Sequence, residues 1–394
     1  MELVNASTAF QWWPNYLDVN GVAMRGTPAK QGWEFSRHGY LAAKDDPTVD
    51  ADKFGAMIRR SLRPLSKPTL EAARGEYARR DARVFPRYFI IEPNATCNRK
   101  CVFCPIIVTN RKGNMKWEHF MKLMTECADH DVYGISLYQL SEPMLYRAAL
   151  EVSRYPESRS VDYIKFDIAD MVDAAKRVGR FRACNISTNG DAANLDRLLA
   201  CDLDDLFISI DGTTAGVYDQ NRPSTKANDS GAFQRTVDRV RAFLEKKADT
   251  GQAKPWVRMQ IINNALCAPQ VLDFVRQWID VPGVDDIYVK NLDGMNAWLG
   301  DKAVSAEESA VKMAKVAAMP CQHIYAIGSM VADGRFNACC HDSLTELTTA
   351  GANIDAMTFA DWWGGDYMRE LRAEHEGGAL RLPCRACAER DPWL

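Results

Sequence analysis

Six short apolar runs recur between residues 88 and 290, and the stretches between them carry helical periodicity. The runs are YFIIE (88–92), YGISLYQL (133–140), CNIST (184–188), LFISI (206–210), VRMQII (257–262) and DIYVK (286–290). Runs of this length, rich in Ile, Val and aromatic residues, read as strands buried on both faces. In HFMKLMTECADH (119–130), Phe120, Leu123, Met124 and Cys127 fall on one stripe of a helix, and VDRVRAFLEKK (237–247) reads as another. Strands that alternate with helices fold as a parallel sheet with right-handed crossovers, so the class is α/β.

The first of these strands runs into Cys97, Cys101 and Cys104, spaced CxxxCxxC, with Phe103 before the last. Three thiolates this close cannot all pair as disulfides. They suit three irons of a [4Fe–4S] cube, whose ligands come from tight local cysteine runs, and they leave one iron open for a small ligand. A zinc loop or scattered core thiols are the other readings of the same spacing. A strand followed by CxxxCx-aromatic-C resembles the cluster loop of the radical S-adenosylmethionine (radical SAM) superfamily. The resemblance implies a partial (β/α)6 barrel, open on one side. Barrel chemistry sits at the C-terminal ends of the strands.

Further matches appear in chain order at those ends. Ser141-Glu142-Pro143 stands where the family carries Gly-Gly-Glu-Pro, a partial match that gives Glu142 the role of accepting a hydrogen bond from the SAM amino group. Ser187, at the end of CNIST, resembles the ribose-contacting serine. Ser209 and Asp211, followed by Gly212, resemble the family's Ser-x-Asp-Gly stretch. Arg222, in YDQNRP, matches the arginine that reaches the SAM carboxylate, a task suited to a bidentate guanidinium. Gln260, Asn263 and Lys290 end later strands and would face the barrel mouth as substrate contacts.

A second cysteine set begins at Cys321. Twelve residues separate it from Gly334, four more precede Cys339, and Cys384 and Cys387 follow as a CxxC pair. This pattern resembles the twitch domain, the shortened form of the SPASM domain of radical SAM enzymes, and implies that Cys321, Cys339, Cys384 and Cys387 hold one auxiliary [4Fe–4S] cluster. A structural zinc site suits the same four cysteines. Gly334 fits a tight hairpin turn in MVADGRFNAC (330–339) that returns the chain on itself. Seven residues follow Cys387 without another cysteine, so ligands for a further cluster are lacking. Cys340, next to a ligand candidate, reads as an alternative ligand, a core thiol or a hydrogen-atom donor. His341 and Asp342 beside it are candidate acid/base groups or solvated loop residues. Cys184, Cys201 and Cys267 read as core thiols.

The resemblance divides the 394 residues into an N-terminal extension (1–85), the radical SAM partial barrel (86–300) and the twitch domain (301–394). In the extension, Trp12, Trp13 and Trp33 point to irregular structure, and Asp50 is placed to cap a helix through Phe54, Met57, Ile58 and Leu62. Net charge is −3, which argues against a nucleic-acid partner. No run approaches the ~18 to 20 apolar residues of a membrane span. Twelve cysteines, without a basic segment leading into an apolar one at the N-terminus, point to the reducing cytoplasm.

The resemblance implies two [4Fe–4S] clusters, SAM as cofactor and an electron donor such as flavodoxin or ferredoxin. It implies reductive cleavage of SAM to a 5′-deoxyadenosyl radical that abstracts a substrate hydrogen. With one auxiliary cluster as electron acceptor, the expected reaction is oxidation of a secondary alcohol in a sugar or aminocyclitol-type natural-product intermediate. Epimerisation and modification of a ribosomally made peptide are the alternatives within the family. A zinc-bound scaffold with a degenerate barrel is the alternative outside it. No Ser-His-Asp order, P-loop or Rossmann fingerprint competes.

Overall fold

The computed structural model describes residues 85–387 except 110, 131, 153–161, 292–320 and 322, together with three short strands before them. These are β1 (Leu17–Val19) and β2 (Val22–Met24), which pair as a hairpin, and β3 (Trp33–Ser36). The helix expected from Asp50 and the boundary expected at residue 300 lie outside the described residues.

β4 (Tyr88–Ile91) and β5 (Gly134–Ser136) pair in parallel. β6 (Ala148–Val152) and β7 (Asp162–Phe166) form a separate antiparallel ribbon. β8 (Ala183–Thr188), β9 (Asp205–Ser209), β10 (Trp256–Asn263) and β11 (Asp286–Asn291) then continue the parallel sheet in chain order beyond β5. All six expected strands are present. Sequential parallel strands joined by crossovers are the barrel arrangement, and this sheet stays open, with β3 at one edge and β13 (Phe336–Asn337) at the other. The partial (β/α)6 barrel is thus the observed fold.

The strands are mainly apolar because both faces are covered: all four residues of β4 and all five of β9 are buried. One cover is α1 (Trp117–Asp129), whose Phe120, Leu123, Met124 and Cys127 are fully buried at helical spacing. Burying each large apolar chain there contributes about 1.5–3 kcal/mol. α2 (Ile168–Arg177) starts at a capping box in which Asp167 accepts from Ala169 N (2.9 Å) and Asp170 from Asp167 N (2.7 Å). α3 (Ala215–Asn221), α4 (Ala232–Asp249) and α5 (Val271–Trp278) accompany β9 to β11.

The C-terminal residues join the same sheet. After α6 (His323–Ala326), β12 (Ile327–Met330) pairs in parallel with β4 and antiparallel with β13. The turn between β12 and β13 has Gly334 at φ +87°. A Cβ there would stand 2.6 Å from His119 Nδ1 on α1, so the glycine is needed for close approach as well as for the turn. α7 (Phe359–Trp363) and α8 (Asp366–Gly377) complete the described chain. Phe359 packs edge-on against Phe89 of β4 (4.8 Å between centroids) and Phe336 of β13 (5.0 Å). At the end of β4, buried Glu92 takes both Nε and Nη2 of Arg111 (2.8 and 3.0 Å) and the N–H of Ala332 (3.1 Å), which ties the barrel to the β12–β13 turn.

Candidate active site

The three-cysteine loop leaves β4 at its C-terminal end and is built from short-range polar contacts. Asn94 Oδ1 accepts from Thr96 N (2.9 Å) and Thr96 Oγ1 (2.8 Å), and its amide donates to the Glu142 carbonyl (2.9 Å). Farther on, the backbone N–H groups of Lys100 and Val102 donate to the carbonyls of Pro223 (2.7 Å) and Asn221 (3.0 Å). Buried Arg99 pairs with Asp191 at 2.6 Å. The loop is therefore held by segments that follow β5, β8 and β9.

Each sulfur meets a different one of those segments. Cys97 Sγ accepts from Asn189 Nδ2 at 3.8 Å, Cys101 Sγ from Arg222 Nη1 at 3.7 Å, and Cys104 Sγ donates to the Leu140 carbonyl at 3.9 Å. Burial pushes the Cys97 and Cys104 thiols up to about 12, with the Glu142 charge adding at Cys97 and Cys101 adding at Cys104. Burial raises Cys101 too, against the pull of Arg222.

The residues matched to SAM contacts fall into two groups around this loop. Glu142 is buried and accepts from Thr188 Oγ1 (2.6 Å), Met144 N (3.1 Å) and Asn189 N (2.7 Å). Burial raises its carboxyl despite these donors. Asp211, fully buried, takes Arg222 Nε (2.7 Å) on one oxygen and Ile262 N (2.7 Å) on the other, so Arg222 is oriented towards Cys101. Gly212, at φ +140°, lets the chain pass close to Tyr218 N. Ser209 is buried and accepts from Gln260 Nε2 (2.8 Å); Ser187 is half-buried at the end of β8.

Several members of this arrangement were not assigned from sequence. Thr188 and Asn189, rather than Ser187, reach Glu142 and Cys97. Asp191 gathers Arg99, Arg235 (3.1 Å) and Arg239 (2.7 Å). The available signal was the spacing of Arg235 and Arg239, four apart on α4 and thus on one face.

The second cysteine set also converges. Cys321, Cys339, Cys384 and Cys387, more than sixty residues apart at the extremes, line one cavity. His323, His341 and His375 line it with them. His375 Nδ1 accepts from Cys321 N (3.3 Å), and His323 Nδ1 lies 3.9 Å from Cys339 Sγ. A hydrogen bond with Cys340, then burial, raise the Cys339 thiol. Cys340 is half-buried; its carbonyl accepts from Gln139 Nε2 (2.7 Å), beyond β5. Asp342 turns inward: it is fully buried, accepts from Leu347 N (2.6 Å), and burial raises its carboxyl to about 6. Cys127, Cys184 and Cys267 are fully buried and Cys201 packs at the core margin.

Four thiolates on one zinc would lie ~3.8 Å apart, from Zn–S bonds of about 2.3 Å in a tetrahedron. Among the described residues, the group whose ligand atoms lie within 4.8 Å of one another is His323, Cys340 and His341, not the four cysteines.

No protein-family model matches the chain, and no curated protein matches it. Solved structures similar to it include BtrN in complex with AdoMet and 2-DOIA, at 16% identity and TM-score 0.46 over 75% of this chain and 89% of that one. Another is Streptococcus suis SuiB bound to S-adenosylmethionine, at 14% and 0.47 over 89% and 83%. A third is anSMEcpe with bound AdoMet and the Cp18Cys peptide, at 14% and 0.48 over 76% and 85%. At these identities and scores, the site is read from its own geometry: an open parallel barrel with a three-cysteine loop after β4, and a four-cysteine cavity lined from α6, the chain after β13 and α8.

Proposed function

We propose that this protein is a radical SAM enzyme with one auxiliary cluster, and that it oxidises a secondary alcohol of a sugar or aminocyclitol-type compound. The observation that carries the reading is the convergence of Asn189, Arg222 and the Leu140 carbonyl, from three strand ends, on Cys97, Cys101 and Cys104. When bound, SAM on a [4Fe–4S] cluster at these cysteines supplies a 5′-deoxyadenosyl radical for hydrogen-atom abstraction, and a second cluster at Cys321, Cys339, Cys384 and Cys387 supplies an electron acceptor.

The chain's own residues bind and orient. Glu142 presents a desolvated carboxylate for the SAM amino group, and Arg222, held by Asp211, presents a guanidinium for its carboxylate. Ser187, Ser209 and Asp211 line the strand ends where the ribose would rest. The barrel and the β12–β13 segment keep water from a reactive radical. His341, which lines the four-cysteine cavity, is the candidate to take the alcohol proton; Asp342, expected with it, is turned into the core and bonded to Leu347 N.

Epimerisation is the second reading, for which half-buried Cys340, its carbonyl bonded to Gln139 beyond β5, would be the thiol that returns a hydrogen atom. Anaerobically reconstituted protein should contain about eight irons and form 5′-deoxyadenosine, with about four irons and no SAM cleavage when Cys97, Cys101 and Cys104 are replaced by Ala. Persistent 5′-deoxyadenosine in the triple variant would remove the site assignment. Oxidation requires a product two mass units lighter than substrate. A product of unchanged mass carrying one solvent deuterium, lost in Cys340→Ala, would establish epimerisation instead.

A further inference from the structure

In the wall of the four-cysteine cavity stands a group outside both cysteine sets. His323, Cys340 and His341 each place one ligand atom within 4.8 Å of the other two. The β12–β13 hairpin brings them together, since His323 opens α6 before it and the other two follow it. His323 Nδ1 lies 3.8 Å from Cys340 Sγ. The two imidazoles, 5.1 Å apart and tilted by 51°, are not stacked. Around one tetrahedral ion, with Zn–N near 2.0–2.1 Å and Zn–S near 2.3 Å, ligand atoms stand roughly 3.3–3.8 Å apart, so little movement is needed. Two imidazoles and a thiolate suit a borderline divalent ion and disfavour magnesium or calcium, which take oxygen ligands.

We propose that His323, Cys340 and His341 bind a single borderline divalent metal ion, zinc by preference, at the edge of the four-cysteine cavity and without those four thiols. Three protein ligands leave a fourth position for water or a substrate oxygen, as in catalytic zinc sites. The bond from Gln139 Nε2 to the Cys340 carbonyl anchors the group to the barrel segment that also carries Leu140, the partner of Cys104. On the reading proposed above, but with His341 a ligand and not the base, a substrate hydroxyl bound at the fourth position would lose its proton more readily. A metal-bound Cys340 thiolate has no S–H hydrogen to return, which favours oxidation over epimerisation.

The test uses tag-free full-length protein, reconstituted anaerobically with iron and sulfide, equilibrated with Zn²⁺ and desalted. Iron and zinc are counted and X-ray absorption is recorded at the zinc edge. One zinc per chain is expected, with two imidazole nitrogens and one sulfur. Cys340→Ser and His341→Ala should each weaken zinc binding by more than the ~10- to 100-fold that loss of an outer-shell partner costs, with iron content unchanged. The proposal is overturned if zinc stays in both variants, if its edge shows four sulfurs, or if iron is lost together with zinc in both. Protein that takes up no iron yet binds one zinc through two nitrogens and one sulfur would sink the cluster reading and leave this site standing.

Discussion

Replacing Asp211 by Ala tests whether the Asp211–Arg222 pair is the clamp that sets the cluster loop. Asp211 is fully buried and Arg222 is 7% exposed. The substitution strands a buried guanidinium, a loss of about 3–5 kcal/mol when one partner of a buried pair is removed. It also strands the Ile262 N–H, worth about 1–3 kcal/mol. Both losses pass through one side chain and overlap, so we expect a net destabilisation of about 4 kcal/mol, a large share of the roughly 5–15 kcal/mol that holds a domain folded. Urea unfolding of the metal-free protein under reducing conditions, followed by circular dichroism, measures it. The double variant Asp211→Ala/Arg222→Met should recover most of the loss, because an apolar pair of similar volume is often as stable as a buried ion pair. Arg222 Nη1 would also leave its place 3.7 Å from Cys101 Sγ, so iron uptake at the loop should fall in the single variant. A loss below about 1 kcal/mol, or a double variant no more stable than the single one, would refute the clamp.

Gly334→Ala should destabilise by about 1–2 kcal/mol from the left-handed backbone alone, and further because its Cβ would meet His119 Nδ1; a melting temperature equal to wild type would show that neither constraint operates. Asp167→Ala should cost about 1 kcal/mol at neutral pH through loss of the α2 cap. Burial pushes the Asp167 carboxyl up but is outweighed by the hydrogen bond and charge of Arg197 and by the N–H of Ala169, so its folded pKa lies below the ordinary value of 3.8. The cap's contribution is therefore fully present above that value and lost as pH falls through the lower folded one. Denaturation midpoints of variant and wild type should converge below about pH 3.8, and a pH-independent gap would exclude this origin.

The parts of the fold that could be read from the sequence are those where one local requirement acts alone. The barrel strands are largely buried on both faces and so appear as short, mainly apolar runs with few polar residues. The β6–β7 ribbon escapes this test because it is partly exposed: Tyr163 and Ile164 are 58% and 50% accessible, and AALEV and DYIKF mix polar with apolar residues. β5 was read too long, as YGISLYQL. It ends at Ser136, because the Leu140 carbonyl and the following Glu142 are drawn to the cluster loop. Likewise, the pairing of β12 with β4 joins segments more than two hundred residues apart and leaves no local mark.

The same distinction governs the site. Cys97, Cys101 and Cys104 fall within one short run, and so they announce themselves in the sequence. The groups that hold their loop need only be close in space. Asp191 is 92 positions from Arg99 and 44 and 48 from Arg235 and Arg239, and the buried carboxylate joins the loop to α4. His323 and His375 are similar: each is an isolated histidine in the sequence, and only the return of the β12–β13 hairpin and the packing of α8 bring them to the cysteines. Spacing motifs therefore locate where the chemistry is held. The residues that orient and tune it are set by crossover geometry, and in this chain they gather where the segments after β5, β8 and β9 meet the end of β4.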